Sequence, residues 1–395
     1  MASPEKTDIN VADINKGIWI EGSVSKGIKK FLNRLLTDKN LEAVLMPAKN
    51  KTNDSYAWFL MGKDGLTESA TPFPPIISVQ GAKVVSYLTK KGGPWKKTAV
   101  LLRPCELRAT IELAKLKQVD LNGLVLISFD CPGAYPFEKY FNEDQKTLDS
   151  EFELCIGTQS EPEGLRTVCS ICTGFTGRGA DIEINITGGE SKGFWFVPGT
   201  DQGRQLIEKV FKNNDYNSLD SRGVLLAERL GQRREKRDTI LDSFRETVKG
   251  PENLMNVLSS CINCHNCSRV CPICFCRECY FDSRALISEA DDMLIRAKRK
   301  KGLRLLPDLL LFHMGRMTHM SISCVSCGAC EDACPANIPV SMLFSLAGKN
   351  TQKIFNYEPG RSVDEPVPYS VFKFEELEDF EVPYTKEYST ADKEQ

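Results

Sequence analysis

Eleven of the sixteen cysteines in this 395-residue chain lie between Cys261 and Cys334, and their spacing is that of a sulfur cage rather than of crosslinks. The run Cys261-x2-Cys264-x2-Cys267-x3-Cys271-Pro272 recurs as Cys324-x2-Cys327-x2-Cys330-x3-Cys334-Pro335. Three thiolates at successive three-residue steps sit on one tight loop and can wrap a single iron–sulfur cube. The fourth, just before proline, turns away and ligates the other cube. The pattern assigns Cys261, Cys264, Cys267 and Cys334 to one [4Fe–4S] cluster, and Cys324, Cys327, Cys330 and Cys271 to a second. Zinc favours paired Cys-x2-Cys knuckles and has no use for three cysteines in such steps, repeated with the same proline.

Other cysteines are less diagnostic. Cys274, Cys276 and Cys279 are surplus once eight ligands hold two cubes, and their plainest reading is thiols packed beside the clusters. Cys131, Cys155 and the pair Cys169-x2-Cys172 form a legitimate four-ligand set, but spacing alone leaves a cluster, zinc and plain thiols open. With three histidines in the chain, imidazole-rich zinc or non-haem iron sites are not expected. His313 and His319 fall at helical spacing with Met314, Met317 and Met320, and are expected to pack against the second cluster.

The elements that must position these thiols read as alternating α and β. Helical spacing covers 23–36, 80–88, 105–116 and 203–211, while 41–46, 98–102, 123–129 and 194–197 are short apolar strands. Strand–helix–strand with short connections predicts a parallel sheet covered by helices. Residues 222–245 form a long charged helix ending at Lys249-Gly250-Pro251, where the domain boundary is placed. This gives an α/β domain (1–250), a two-cluster domain (251–348) with an insertion at 280–320, and an extended acidic, aromatic arm (349–395) suited to clasping a partner. The basic runs 233–237 and 296–301 are expected to be solvated helix faces. A formal charge of −2 provides no global field for nucleic acid or an anionic membrane. The first residues carry no apolar signal core and no run of about eighteen apolar residues occurs, so a cytoplasmic protein without a membrane span is expected. Cysteines in that reducing setting are metal ligands sooner than disulfides.

Four segments resemble the β subunits of coenzyme F420-dependent hydrogenases and dehydrogenases, most closely the formate dehydrogenase type. They are Arg103-Pro104-Cys105-Glu106-Leu107-Arg108-Ala109, Cys131 after an apolar strand, Cys169-Ser170-Ile171-Cys172-Thr173-Gly174-Phe175 with Ala180-Asp181-Ile182, and Gly193-Phe194-Trp195-Phe196 leading to Gly203-Arg204-Gln205. The resemblance covers about 22–347. It implies a third [4Fe–4S] cluster on Cys131, Cys155, Cys169 and Cys172, and an α/β flavin-binding domain followed by a ferredoxin-like 2×[4Fe–4S] domain and a C-terminal arm. It also implies FAD at Arg103, Pro104, Cys105, Glu106 and Arg108, with Thr173 and Gly174 nearby. The function implied is an oxidoreductase subunit that exchanges hydride with F420 or NAD(P) and single electrons with a catalytic partner. That partner would be a formate dehydrogenase α subunit, a hydrogenase or a heterodisulfide reductase. No Gly-x-Gly-x-x-Gly supports a dinucleotide site. The family's Gly-Thr-Pro-Cys-Gln reads here Leu102-Arg103-Pro104-Cys105-Glu106, which leaves the hydride carrier open, and with it a flavin-free relay.

Overall fold

The computed structural model describes residues 16–371 apart from 53, 63, 189–192, 213–214, 284–285, 287–288 and 303–308. Eight strands form one sheet: β1 (Lys16–Glu21), β2 (Ala43–Lys49), β3 (Tyr56–Met61), β4 (Thr98–Leu102), β5 (Leu124–Phe129), β6 (Ile182–Asn185), β7 (Gly193–Pro198) and β8 (Asn217–Ser218). Their order is β3-β2-β4-β5-β6-β7-β1-β8. The middle, β2-β4-β5-β6, is parallel, but β3, β7, β1 and β8 add antiparallel flanks, so the sheet is mixed rather than purely parallel. The strand expected at 194–197 lies in β7, but its antiparallel pairing is not legible in sequence, and β8 is only two residues long.

Every residue of β4 and β5 is buried, as expected of strands covered on both faces. Alternation divides them between two cores. Ala99, Leu101, Val125, Ile127 and Phe129 face a layer that includes α1 (Val24–Thr37), while Val100, Leu102, Leu124 and Leu126 face the other side. On that other side lie α2 (Gly81–Thr89) and α3 (Pro104–Lys115). The same core continues into the cysteine-rich half through Leu258, Ile273, Phe312, Val325 and Phe344, so the two parts share apolar packing across residue 250.

The remaining helices are α4 (Phe137–Asn142), α5 (Gln145–Thr158), α6 (Thr167–Ser170), α7 (Asp201–Val210), α8 (Asp220–Thr247), α9 (Pro251–Leu258), α10 (Asn266–Arg269), α11 (Ala290–Lys300), α12 (Leu309–Met320), α13 (Ala329–Asp332) and α14 (Val340–Ile354). No residue of α11 is buried, which suits its basic run. In α8, by contrast, Arg233 is 4% exposed and bonded to Glu161, so that run is not wholly a solvated face. Beyond α14, Tyr357 is buried and its hydroxyl donates to Glu112 Oε1 at 2.6 Å, laying this part of the arm on α3. Residues 372–395 of the arm lie outside the described residues.

Candidate iron–sulfur centres

The duplication in the sequence is also a duplication of backbone. Asn263 and His265 flank Cys264 with φ of 56° and 58°, and Ser326 and Gly328 flank Cys327 with φ of 53° and 78°. Two left-handed residues around the middle cysteine curl each loop inward. The short helices α10 and α13 follow, carry Cys267 and Cys330, and pack against each other. At Gly328 an added Cβ would also lie 2.7 Å from Val168, so conformation and space both call for glycine.

The folded chain brings the predicted ligands together in three sets. Burial pushes the Cys267 thiol up to about 11, Arg316 pulls against that, and the thiols that add to the rise are Cys261, Cys334 and Cys264. Cys330 is raised well above the usual range, first by burial and then by Cys327, Cys271 and Cys324. Cys271, Cys324, Cys327 and Cys330 line one largely apolar cavity. Each fourth cysteine thus lies beside the opposite triplet. Cys131 is raised by burial, lowered by Arg103 and raised again by Cys169 and Cys172, and it shares a hollow with Cys155. Among the described residues no three Cys, His, Asp or Glu side chains converge on a single ion. Zinc would need sulfurs about 2.3 Å from one point, whereas thiols spaced around a shared cavity suit a polynuclear centre. The second set, whose four thiols line one cavity, fits a cube.

Buried arginines lie against these sulfurs. The Arg316 Nη1 donates to Cys267 Sγ at 3.0 Å and its Nη2 to the Cys267 carbonyl at 3.0 Å. Arg103 Nη1 donates to Cys131 Sγ at 3.3 Å and to the Gly133 carbonyl at 2.6 Å. Arg233 Nη1 holds the Cys172 carbonyl at 3.0 Å. Arg166 caps α6, which carries Cys169, and its guanidinium packs against Gly328 next to Cys327. The surplus Cys274 donates its S–H to Met320 Sδ at 3.5 Å and lies within electrostatic reach of Cys271. Cys274, Cys276 and Cys279 line a broad open groove between α2, α12 and the loop after α3. His313 lies 3.4 Å from Cys261 Sγ, so it packs on the first set and not the second, and burial holds it neutral, down to about 4.

Most of the polar groups expected to bind flavin are bonded to the protein itself, while the Arg108 Nε is buried without a partner. Arg103 is 3% exposed, and besides Cys131 and Gly133 it bonds the Pro74 carbonyl. Glu106, also 3% exposed, accepts the Arg103 N–H at 2.9 Å and the Gly81 N–H at 2.9 Å, closing a capping box behind Pro104 at the first helical position. Cys105 is half-buried, with Cys327, Cys131 and Cys169 nearby. Arg108 donates to the Val325 carbonyl at 3.3 Å and is covered by Gly174, and Thr173 Oγ1 accepts from Arg237 at 3.3 Å. The hollow beside Arg103 and Glu106 has room for about one water molecule. The turn does not fit FAD. Sequence reasoning treated its charges as ligand-directed because only coordinates reveal where a side chain points. It also passed over Arg316 and Arg166. The signal for Arg316 was present: one arginine directly after the largely apolar run Leu309-Leu310-Leu311-Phe312-His313-Met314-Gly315 and before Met317 needs an anion near it.

Comparison with known proteins agrees with two clusters in the cysteine-rich region. Residues 257–338 match the 4Fe–4S dicluster domain family. The chain is 26% identical over 389 residues to the F420-dependent formate dehydrogenase subunit beta of Methanocaldococcus jannaschii, covering 90% of this chain and 96% of that one. It is 28% identical over 374 residues to F420-dependent formate dehydrogenase 1 subunit beta of Methanococcus maripaludis, covering 85% and 90%. Among solved structures, a chain of the F420-reducing [NiFe] hydrogenase complex from Methanosarcina barkeri aligns with a TM-score of 0.42 and 15% identity. That alignment covers 62% of this chain and 97% of that chain, and is too loose to carry further statements. Among the described residues no helix is long and apolar enough to cross a membrane.

Proposed function

We propose, from the premise that this chain is a relative of F420-dependent formate dehydrogenase β subunits with a 4Fe–4S dicluster domain, that it is a three-cluster electron relay subunit of an oxidoreductase complex. The observation that carries this reading is the continuity of the three cysteine sets. Arg316 touches Cys267 and lines the cavity of Cys271, Cys324, Cys327 and Cys330, and Cys105 and Arg166 lie between Cys327 and Cys169. Cys261, Cys264, Cys267 and Cys334 would hold one [4Fe–4S] cluster, Cys324, Cys327, Cys330 and Cys271 a second, and Cys131, Cys155, Cys169 and Cys172 a third. Such clusters, when bound, supply one-electron carriers.

The chain's own contribution is burial, sulfur hydrogen bonds and buried positive charge, the protein's levers on cluster chemistry. In this reading the relay carries no flavin at the turn that resemblance would give to FAD, because Arg103 and Glu106 fill it. The catalytic partner is a formate dehydrogenase α subunit first, then a hydrogenase or heterodisulfide reductase, met in the cytoplasm.

The test is an anaerobic preparation in which iron, sulfide and flavin released by denaturation are counted together. The reading requires about twelve irons and no flavin. About one FAD per chain would overturn the flavin-free assignment, and about eight irons would overturn the third cluster.

A further inference from the structure

We propose that Arg316 and Arg166 set reduction potentials, each placing a buried positive charge at a junction between neighbouring cysteine sets; the proposal rests on the iron–sulfur reading above. Burying a cation is tolerated only where an anion meets it. The rule is kept with carboxylates where Arg222 pairs with Asp130 and Arg233 with Glu161, while the buried Arg103 bonds Cys131 Sγ instead. Arg316 departs from it. It is 3% exposed, lies 5.4 Å from the Phe312 ring centroid and 4.7 Å from that of Phe344, and among the described residues no carboxylate pairs with it. Its Nη1 points at Cys267 Sγ, its Nε is buried without a partner, and it also lines the cavity of the second set. Sulfur is the anion it meets.

Arg166 repeats the arrangement at the next junction with one difference. It is 5% exposed, its Nη1 pairs with Asp332 at 2.8 Å, and its Nε and Nη2 are buried without partners. The thiols within its electrostatic reach are Cys169 of the third set, Cys327 of the second, and Cys105. Asp332 therefore works as a counterweight that offsets part of the Arg166 charge. A fixed buried cation favours the reduced, more negative state of whatever the sulfurs hold, so it raises potential, and a carboxylate beside it lowers that gain.

The experiment is redox titration of the anaerobic full-length protein followed by electron paramagnetic resonance, with iron and sulfide counted on each sample. Arg316→Gln and Arg166→Gln should lower a midpoint potential relative to wild type. Arg316→Lys should stay close to wild type, and Asp332→Asn should move the potential upward, a sign that a merely structural defect would not produce. Arg316→Gln with full iron and unshifted potentials overturns the proposal. If Arg316→Gln loses iron while Arg316→Lys keeps it, the need for charge is upheld; loss of iron in both overturns it. A wild-type protein with no iron would instead sink the iron–sulfur reading itself, which separates the two failures.

Discussion

Asp130→Asn should loosen the framework that presents Cys131. Asp130 is 4% exposed, and its carboxylate takes Arg222 Nη1 at 2.5 Å, Arg222 Nη2 at 2.8 Å, the Ile186 N–H at 2.8 Å and the Thr187 N–H at 2.9 Å. Arg222, 6% exposed, also donates to the Thr187 carbonyl at 2.6 Å, so one residue pair ties the end of β5, the end of β6 and the start of α8. An amide in place of the carboxylate leaves one acceptor oxygen where there were two. It also leaves the guanidinium charged and without its counterion. Breaking a buried pair from one side costs about 3–5 kcal/mol. At about 1.4 kcal/mol per factor of ten, local opening becomes roughly a hundred to several thousand times more frequent. Hydrogen exchange read by mass spectrometry on the peptide spanning Ile182 to Thr187 measures this directly. A loss of protection under about tenfold would refute the reasoning. Replacing both partners, Asp130→Leu with Arg222→Met, should recover most of the protection, because a well-packed apolar pair spares both charges their desolvation.

Two further outcomes follow from buried carboxyls. Glu112 is fully buried, with Lys115 at 2.6 Å, the Tyr357 hydroxyl at 2.6 Å and the Gly360 N–H at 2.7 Å, so Tyr357→Phe should release the arm after α14 at a cost of about 1.5–3 kcal/mol. Limited proteolysis should then clip residues 355–371 at least about tenfold faster, and cleavage at the wild-type rate would count against the anchor. Burial holds the Glu183 carboxyl up at about 6, against an ordinary 4.5, with the Gly179 N–H acting in the other direction. The folded state therefore binds that proton more tightly than the unfolded one. Its stabilising effect is complete below about pH 4.5 and is lost as pH rises through about 6, a change of about 2 kcal/mol. Glu183→Gln should flatten the unfolding profile across that window, and an unchanged slope would dismiss the linkage.

The parts most legible in sequence were those whose chemistry is local. Cysteine spacing located the loops because three ligands within seven residues leave few ways to wrap a centre. Fully apolar runs such as Thr98–Leu102 gave away the strands buried on both faces. The ends of the sheet were less legible: β6, the last parallel strand, is four residues and the antiparallel β8 two, too short to show a period. The third cysteine set was half legible: Cys169 and Cys172 are neighbours along the chain, whereas Cys131 meets Cys155 only because β5 and α5 end at the same hollow. Side-chain direction was not legible at all. Arg233 sits in a run of five charged residues, yet it turns in to Glu161 and the Cys172 carbonyl and Arg237 reaches Thr173, while Arg234, Glu235 and Lys236 remain in water.

That blindness to direction matters most at the turn after β4. A helix start beside a sheet's carboxyl end is an anion site by geometry, since its first N–H groups have no partners and the helix dipole favours negative charge. A glycine and a neutral residue there would leave that site to a ligand. Here the anion is covalently supplied: Glu106 takes the Arg103 N–H and reaches across to the start of α2 through the Gly81 N–H. The charge on Arg103 is drawn off in the opposite direction, onto Cys131 and two carbonyls. A cofactor phosphate entering this turn would meet a carboxylate already in its place, and a ring entering it would have to displace a guanidinium from a sulfur. The two residues that distinguish this turn therefore act together. One closes the anion site and the other commits its cation to the third cysteine set, which turns a ligand-binding geometry into a brace for Cys131.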